Sequence, residues 1–290
     1  MSNDPEAAPF NPPEPVLCEY CGAPRYTEGF RFAGRVMWAP YGPKRCECPG
    51  AVAAYEREKA EREALERAEK EKEEAEKMRD RVKRIVGDSG MNARFLRRTF
   101  SSFMPTADNQ AALSACKQYA DTFREKQPTN NPEPGRNGLF ITGPKGTGKT
   151  HLAAAIANQL MREGVPVICM TMIDLLERIK RTYEQSRQYG SEVNEGEILR
   201  AYKTVPLLII DDMGKEPATE WAVSKIYAII NARYEAYMPT IITTNYSDGE
   251  LVRRLTPKDS GDDTTADATI DRLREMCVAI VTKGDSWRSK

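Results

Sequence analysis

The chain has 290 residues, enough for roughly two domains at about 100–200 residues each. Its 43 Lys+Arg balance 43 Asp+Glu, so the formal net charge is +0 and a basic coat of the kind that covers duplex DNA is excluded; any nucleic-acid contact has to come from a local patch. The apolar runs all fall short of the ~20 residues a membrane span needs, and the acidic, Pro-rich start MSNDPEAAPFNPPEPV lacks the basic and apolar regions of a secretory signal. A cytoplasmic protein without a membrane partner is expected, whose seven Cys serve as metal ligands or buried thiols rather than disulfides.

Composition divides the chain into an N-terminal module over residues 1–51, a charged helical linker over 52–90 and a third region over 91–290 that holds nearly all the long apolar runs. The module carries Cys18-Glu-Tyr-Cys21 and Cys46-Glu-Cys48, with 24 residues between the pairs and the hairpin-like stretch GFRFAGRVMW inside that gap. Four thiolates make a closed tetrahedral Zn²⁺ site, which a Pro-rich segment so poor in aliphatic residues needs in order to fold. Free thiols are the alternative. A closed site keeps no position open for water, so its role is binding rather than chemistry.

From Glu56 to Arg84, 22 of 29 residues are charged, with no Pro or Gly, which predicts one continuous helix. Glu58/Arg62, Glu63/Arg67, Glu66/Lys70 and Glu73/Lys77 place an acid four residues before a base, the favourable order. The apolar stripe is thin and no sustained heptad appears, so a solvated spacer is expected rather than a coiled coil.

An amphipathic helix is predicted from Gln110 to Phe123, followed by a Pro/Asn loop at Gln127–Asn137. Strand-like runs at Leu139–Thr142, Val165–Thr171, Leu207–Ile210, Thr240–Thr243 and Val278–Val281 then alternate with helical pattern, notably Lys149–Glu163 and a helix from about Ile173. That alternation implies a parallel α/β sheet covered on both faces.

Between the first of these strands and its helix lies Gly143-Pro144-Lys145-Gly146-Thr147-Gly148-Lys149-Thr150, which fits G-x-x-x-x-G-K-[ST] at every fixed position. Glycines let backbone N–H groups wrap phosphate oxygens without a Cβ in the way, and the helix N-terminus adds partial positive charge. Lys149 is expected at the β- and γ-phosphates and Thr150 on Mg²⁺. His151, the only His, is assigned no catalysis; only its backbone N–H is placed toward phosphate. The run Leu207–Ile210 ends in Asp211-Asp212, where the first carboxylate suits Mg²⁺ and the second suits orienting or deprotonating a water. Thr243-Thr244-Asn245 brings a polar amide to the corresponding edge of a neighbouring strand. Cys116, Cys169 and Cys277 read as core residues, as does Tyr227 with Val223 and Ile230, and Arg178–Tyr189 reads as a solvated helix end, with contact to single-stranded DNA as the alternative.

Together GPKGTGKTHL, LLIIDDMG, IINARYEAYMPTIITTNYS and GDSWRS resemble the AAA+ ATPases that load replicative helicases in bacteria and their phages, the DnaC/DnaI type, and the similar IstB-type transposition ATPases. RFLRRTFSSF resembles the lead-in segment of that family. The resemblance implies an AAA+ P-loop NTPase fold with a parallel sheet over 91–290, preceded by the zinc-bearing module and charged helix. It implies Lys149 and Thr150 as the Walker A lysine and Mg²⁺ ligand, Asp211 as the Walker B metal carboxylate, Asp212 as the catalytic carboxylate and Asn245 as the sensor-1 amide. Asp271-Arg272-Leu273-Arg274 resembles the segment carrying the arginine finger, with Arg272 the first candidate and Arg274 the second; Arg288 resembles a sensor-2 arginine. Two departures stand out: Asp212 occupies a position where many AAA+ enzymes have Glu, and Thr256–Ala268 is acidic and turn-rich ahead of the finger helix. The implied function is an ATPase, with ATP and Mg²⁺, that self-associates through its ATP sites and loads a hexameric replicative DNA helicase onto single-stranded DNA. A transposition-accessory ATPase and a non-hydrolysing adaptor are the alternatives. The short stretch after Arg288 is expected to leave little room for a helical lid or a C-terminal DNA-binding helix-turn-helix, which disfavours an origin-binding initiator.

Overall fold

The computed structural model describes residues 12–32, 35–86, 91, 93–129, 131, 135–189 and 195–286. The chain forms two compact units, Met1–Glu73 and Glu74–Lys290.

In the first unit β1 (Val16–Leu17) pairs antiparallel with β2 (Pro24–Arg25), and β3 (Thr27–Phe32) with β4 (Arg35–Pro43), the hairpin read from the aromatic stretch. Helix α1 (Pro49–Val86) starts directly after Cys48 and carries pairs such as Glu63–Arg67, 3.7 Å apart. Among the described apolar residues of this unit only Cys18 and Ala39 are buried, while Tyr26, Phe30, Met37 and Tyr41 are exposed. So little burial cannot offset the conformational entropy of ordering such a segment, and another source of cohesion is required.

The second unit takes in the last turns of α1, where Val82 is buried and Met78 packs beside it; this end of the linker helix is therefore core and not a solvated spacer. After α2 (Ala93–Leu96) and α3 (Gln110–Asp121) the chain alternates β5 (Gly138–Thr142), α4 (Lys149–Arg162), β6 (Val167–Thr171), α5 (Met172–Tyr189), α6 (Glu195–Thr204), β7 (Leu207–Asp211), α7 (Glu220–Glu235), β8 (Thr240–Thr244), α8 (Asp248–Leu255), α9 (Thr264–Met276) and β9 (Cys277–Val281). The last five strands form one sheet in the order β6-β7-β8-β5-β9, every pair parallel. Alternate residues face opposite ways along each strand. Ile168, Met170, Leu208 and Ile210 accordingly enter a core with α5 to α9, and Val167, Cys169, Leu207 and Ile209 enter a second core with α3 and α4. Burial on both faces explains why these strands read as continuous apolar runs. The run Arg178–Tyr189 forms the C-terminal part of α5, the helix end expected from the sequence, and α9 begins at Thr264, so the last residues of the acidic stretch are helix. No described helix is long and apolar enough to cross a membrane.

A parallel sheet gathers all strand C-termini at one edge, where loops can present chemistry. The opposite edge is closed by Arg233 near the end of α7. Fully buried, its guanidinium donates to the carbonyls of Tyr202, Val205 and Pro239 and, at 2.9 Å, to the Thr240 hydroxyl. Replacing it by Met fills the space but strands three carbonyls. The variant Arg233→Met should lose about 3 kcal/mol or more of unfolding free energy in urea denaturation; an unchanged midpoint would contradict this reading of the far edge.

Candidate nucleotide and metal sites

Gly143 to Gly148 joins the C-terminal end of β5, an inner strand of the sheet, to the first turn of α4. Gly148 has φ +98°, and a Cβ there would lie 2.6 Å from the Phe103 ring, so no other residue fits. Lys149, 5% exposed, folds its Nζ back onto the carbonyls of Gly143 and Pro144 at 2.8 and 2.7 Å. Thr147 ties the loop to the sheet through the Thr282 hydroxyl at 2.6 Å. The loop is thus a preformed concavity of N–H groups with a lysine at its mouth, the chemistry an oligophosphate needs.

Two strands away, Asp211 is the last residue of β7 and only 3% exposed. The buried Thr243 hydroxyl donates to its Oδ1 at 2.5 Å and accepts the Asp212 N–H at 3.0 Å. Burial pushes the Asp211 carboxyl above the ordinary carboxylate range, against the pull of the Thr243 bond, and the Thr150 hydroxyl also reaches it. A divalent cation held by Thr150 and Asp211 would relieve that buried charge, so the donor set fits Mg²⁺. Asp212 turns out of the strand with φ +58°, a conformation that costs a non-glycine residue strain.

Asp212 and Asn245 share one cavity with Lys145, Gly146, Lys149 and Thr150, so the three sequence motifs converge. His151 also borders it, but its ring turns away: Nε2 donates to the Thr99 carbonyl at 2.9 Å and burial lowers its pKa. Pattern reading did not single out Arg98 and Lys215, which line the same cavity. Lys215 forms a 2.6 Å ion pair with Asp212. Glu216 supports this loop by accepting the Gly214 N–H at 2.9 Å. A lysine three residues after the second carboxylate was the available signal; Arg98 is one of two adjacent arginines, and nothing local distinguishes it.

Arg272 lies on the surface formed by α7 and α9. Its Nε donates to Asn231 Oδ1 at 2.6 Å and its guanidinium sits 5.0 Å above the Tyr227 ring. Tyr227 is accordingly half-buried support for Arg272 rather than core, whereas Val223 and Ile230 are core. Arg274 is committed to Asp248 at 2.8 Å. Arg288 lies outside the described residues.

In the N-terminal unit Cys18 and Cys48 have sulfurs 3.8 Å apart, Cys21 and Cys46 3.5 Å, and all four lie within 4.8 Å of one another. A tetrahedron with Zn–S bonds of about 2.3 Å has edges of about 3.8 Å, so the four thiols fit Zn²⁺. Backbone N–H groups of Tyr20 and Cys21 pull the Cys18 thiol down to about 6, whereas the neighbouring Cys46 and Cys48 push the Cys21 thiol up, so the crowded sulfurs oppose one another's ionisation until a cation shares them.

The sequence profile described as IstB-like ATP binding protein matches residues 134–290, the span holding the phosphate loop, both aspartates and Asn245. The chain belongs to this family. The replicative helicase loader DnaC of Escherichia coli K12 is 27% identical over 213 residues, covering 72% of this chain and 77% of DnaC. A crystal structure of the DnaC helicase loader superposes with a TM-score of 0.51 at 25% identity, over 66% of this chain and all (100%) of that one. A DNA replication initiation factor shares the fold at 22% identity with a TM-score of 0.50, over 65% of this chain, which spans half (50%) of that protein's length. The fold is that of an AAA+ P-loop NTPase, and the IstB-like family is one of ATP-binding proteins.

The zinc assignment gives a direct outcome. The purified chain should carry about one Zn²⁺ per polypeptide, released by a strong chelator with loss of the hairpin's protease resistance. Cys46→Ser should lower the metal content likewise; a full-length chain folded and protected without metal would overturn it.

Proposed function

We propose that this chain is an ATPase that loads a hexameric replicative DNA helicase onto single-stranded DNA, using ATP binding and hydrolysis as its assembly and release switch. The observation that carries this is the convergence of Lys149, Thr150, Asp212 and Asn245 on one cavity, beside the buried Asp211, in a chain similar over most of its length to DnaC. Lys149 and the loop N–H groups bind the phosphates, and Thr150 and Asp211 hold Mg²⁺, which supplies charge neutralisation. Asp212 accepts a proton from the attacking water as its oxygen bonds to the γ-phosphorus and the β–γ bridging bond breaks to leave ADP. Asn245 orients that water.

Arg272 is not among the described residues lining this chain's own cavity, and its cradle of Asn231 and Tyr227 holds the guanidinium on an outer helical surface. It therefore serves a neighbouring copy, so hydrolysis depends on self-association. Arg274, engaged by Asp248, is left as a structural residue of the α8–α9 pair. The zinc-bearing module and the charged helix engage the helicase. The match to the IstB-like profile favours a second reading, a transposition-accessory ATPase that binds a transposase and remodels duplex DNA.

Two experiments separate these readings. Size-exclusion chromatography of the full chain with a replicative helicase hexamer should give an ATP-dependent complex that sheds the chain on hydrolysis; a complex with a transposase instead would favour the second reading. Asp212→Asn should retain ATP but lose about a hundredfold or more in turnover, and Arg272→Ala about a thousandfold of assembly-stimulated turnover. Full loading activity in Asp212→Asn would mean a non-hydrolysing adaptor.

A further inference from the structure

Arg98 reaches the nucleotide cavity from the irregular stretch between α2 and α3, and the structure shows how it is held there. Asn158, 6% exposed on a helix face otherwise built of Ala, Ile and Leu, donates its side-chain amide to the carbonyls of Phe95 at 2.9 Å and of Arg98 itself at 2.7 Å. About two turns nearer the phosphate loop, His151 donates to the Thr99 carbonyl at 2.9 Å, and Phe103 closes edge-on against the His151 ring with centroids 5.2 Å apart. A buried amide placed on a helix interior is costly unless satisfied. Here it is satisfied by one carbonyl of α2 and one of the irregular stretch that follows it, and the only His takes a third. Helix α4, whose N-terminus faces the phosphates, therefore fixes the backbone on both sides of Arg98.

That backbone position makes Arg98 part of the cavity lining together with Thr150, Asp212 and Asn245, with its guanidinium over the Phe95 ring and its charge acting on Asp211. These residues surround the terminal phosphate and its metal in the function proposed above, and the present inference rests on that reading. Lys145 and Lys149 approach from the phosphate loop; Arg98 approaches from a different segment of the chain. A guanidinium offers a planar fork of donors matched to phosphate oxygens, which a loop lysine does not.

We propose that Arg98 is a nucleotide ligand supplied in cis, binding the γ-phosphate of ATP, and that Asn158 and His151 are its positioning residues. The contact exists only while the third phosphate is present, so Arg98 discriminates ATP from ADP. It also makes the stretch between α2 and α3 a reporter of nucleotide state, because the residues that grip it grow from the helix that opens at the phosphate loop.

The test is calorimetric titration of the full-length chain with AMP-PNP and with ADP, both with Mg²⁺. Arg98→Met keeps the side-chain stem and removes the fork; it should weaken AMP-PNP about tenfold and leave ADP within about twofold. Arg98→Lys should recover part of the loss. Asn158→Ala should reproduce the same selective weakening, since a general loss of fold would reduce both nucleotides alike. Unchanged AMP-PNP affinity in Arg98→Met, or equal weakening of both nucleotides, would overturn the assignment. Failure of the wild-type chain to bind either nucleotide would instead remove the underlying ATP-site reading.

Discussion

The Thr243 hydroxyl sits between β7 and β8 with no access to solvent, donating to Asp211 and accepting from the Asp212 backbone. Through these two bonds one side chain fixes where the buried carboxylate points and where the strand turns to present the next. A hydroxyl is the smallest group that can do both at once, since it carries one donor and two acceptor sites. Its neighbour Thr244 donates to the Met213 carbonyl at 2.8 Å, continuing the same clamp along the loop. The turn that carries Asp212 is therefore anchored to the adjacent strand and not to its own, so Asp212, just after β7, and Asn245, just after β8, share one hydrogen-bonded frame.

This anchoring matters because the site edge is built of groups that oppose one another. Asp211 is buried and acidic, Asp212 is strained, and Arg98, Lys145, Lys149 and Lys215 crowd one cavity. A ligand that brings negative charge together with a divalent cation complements all of these groups at once. The far edge of the sheet shows the opposite economy. There Arg233, its pKa pulled down to about 9 by burial, is matched by carbonyls and a hydroxyl, and Asn137 spans the Lys126 and Tyr237 carbonyls. One edge is closed by internal hydrogen bonds, leaving the other to open for chemistry.

What could be read from the sequence follows from how local each signal is. The phosphate loop, the strand ending in two aspartates and the paired cysteines are each set by residues a few positions apart; the loop and Asp212 line one cavity, and within the N-terminal unit the four cysteine sulfurs lie within 4.8 Å of one another. The parallel sheet was legible because burial on both faces writes itself as unbroken apolar runs. Arg98 and Lys215 escaped because their roles exist only across long separations or within an irregular turn, where composition carries no period. Tyr227 was misread because helical spacing identifies a face without saying what covers it; α7 buries Val223 and Ile230 yet leaves Tyr227 to carry a guanidinium. The last turns of α1 were misread because a stripe of two apolar residues, Met78 and Val82, is too thin to distinguish from a solvated helix until its partners are known.

All of this depends on a nucleoside triphosphate seating its phosphates against the first turn of α4. The most direct measurement is the equilibrium affinity of the purified chain for Mg²⁺-ATP, compared with that of Lys149→Ala at equal thermal stability. Saturable binding by the wild type and at least about a hundredfold weakening in the variant are expected. Equal affinity in the two proteins, or no binding by either, would contradict that seating.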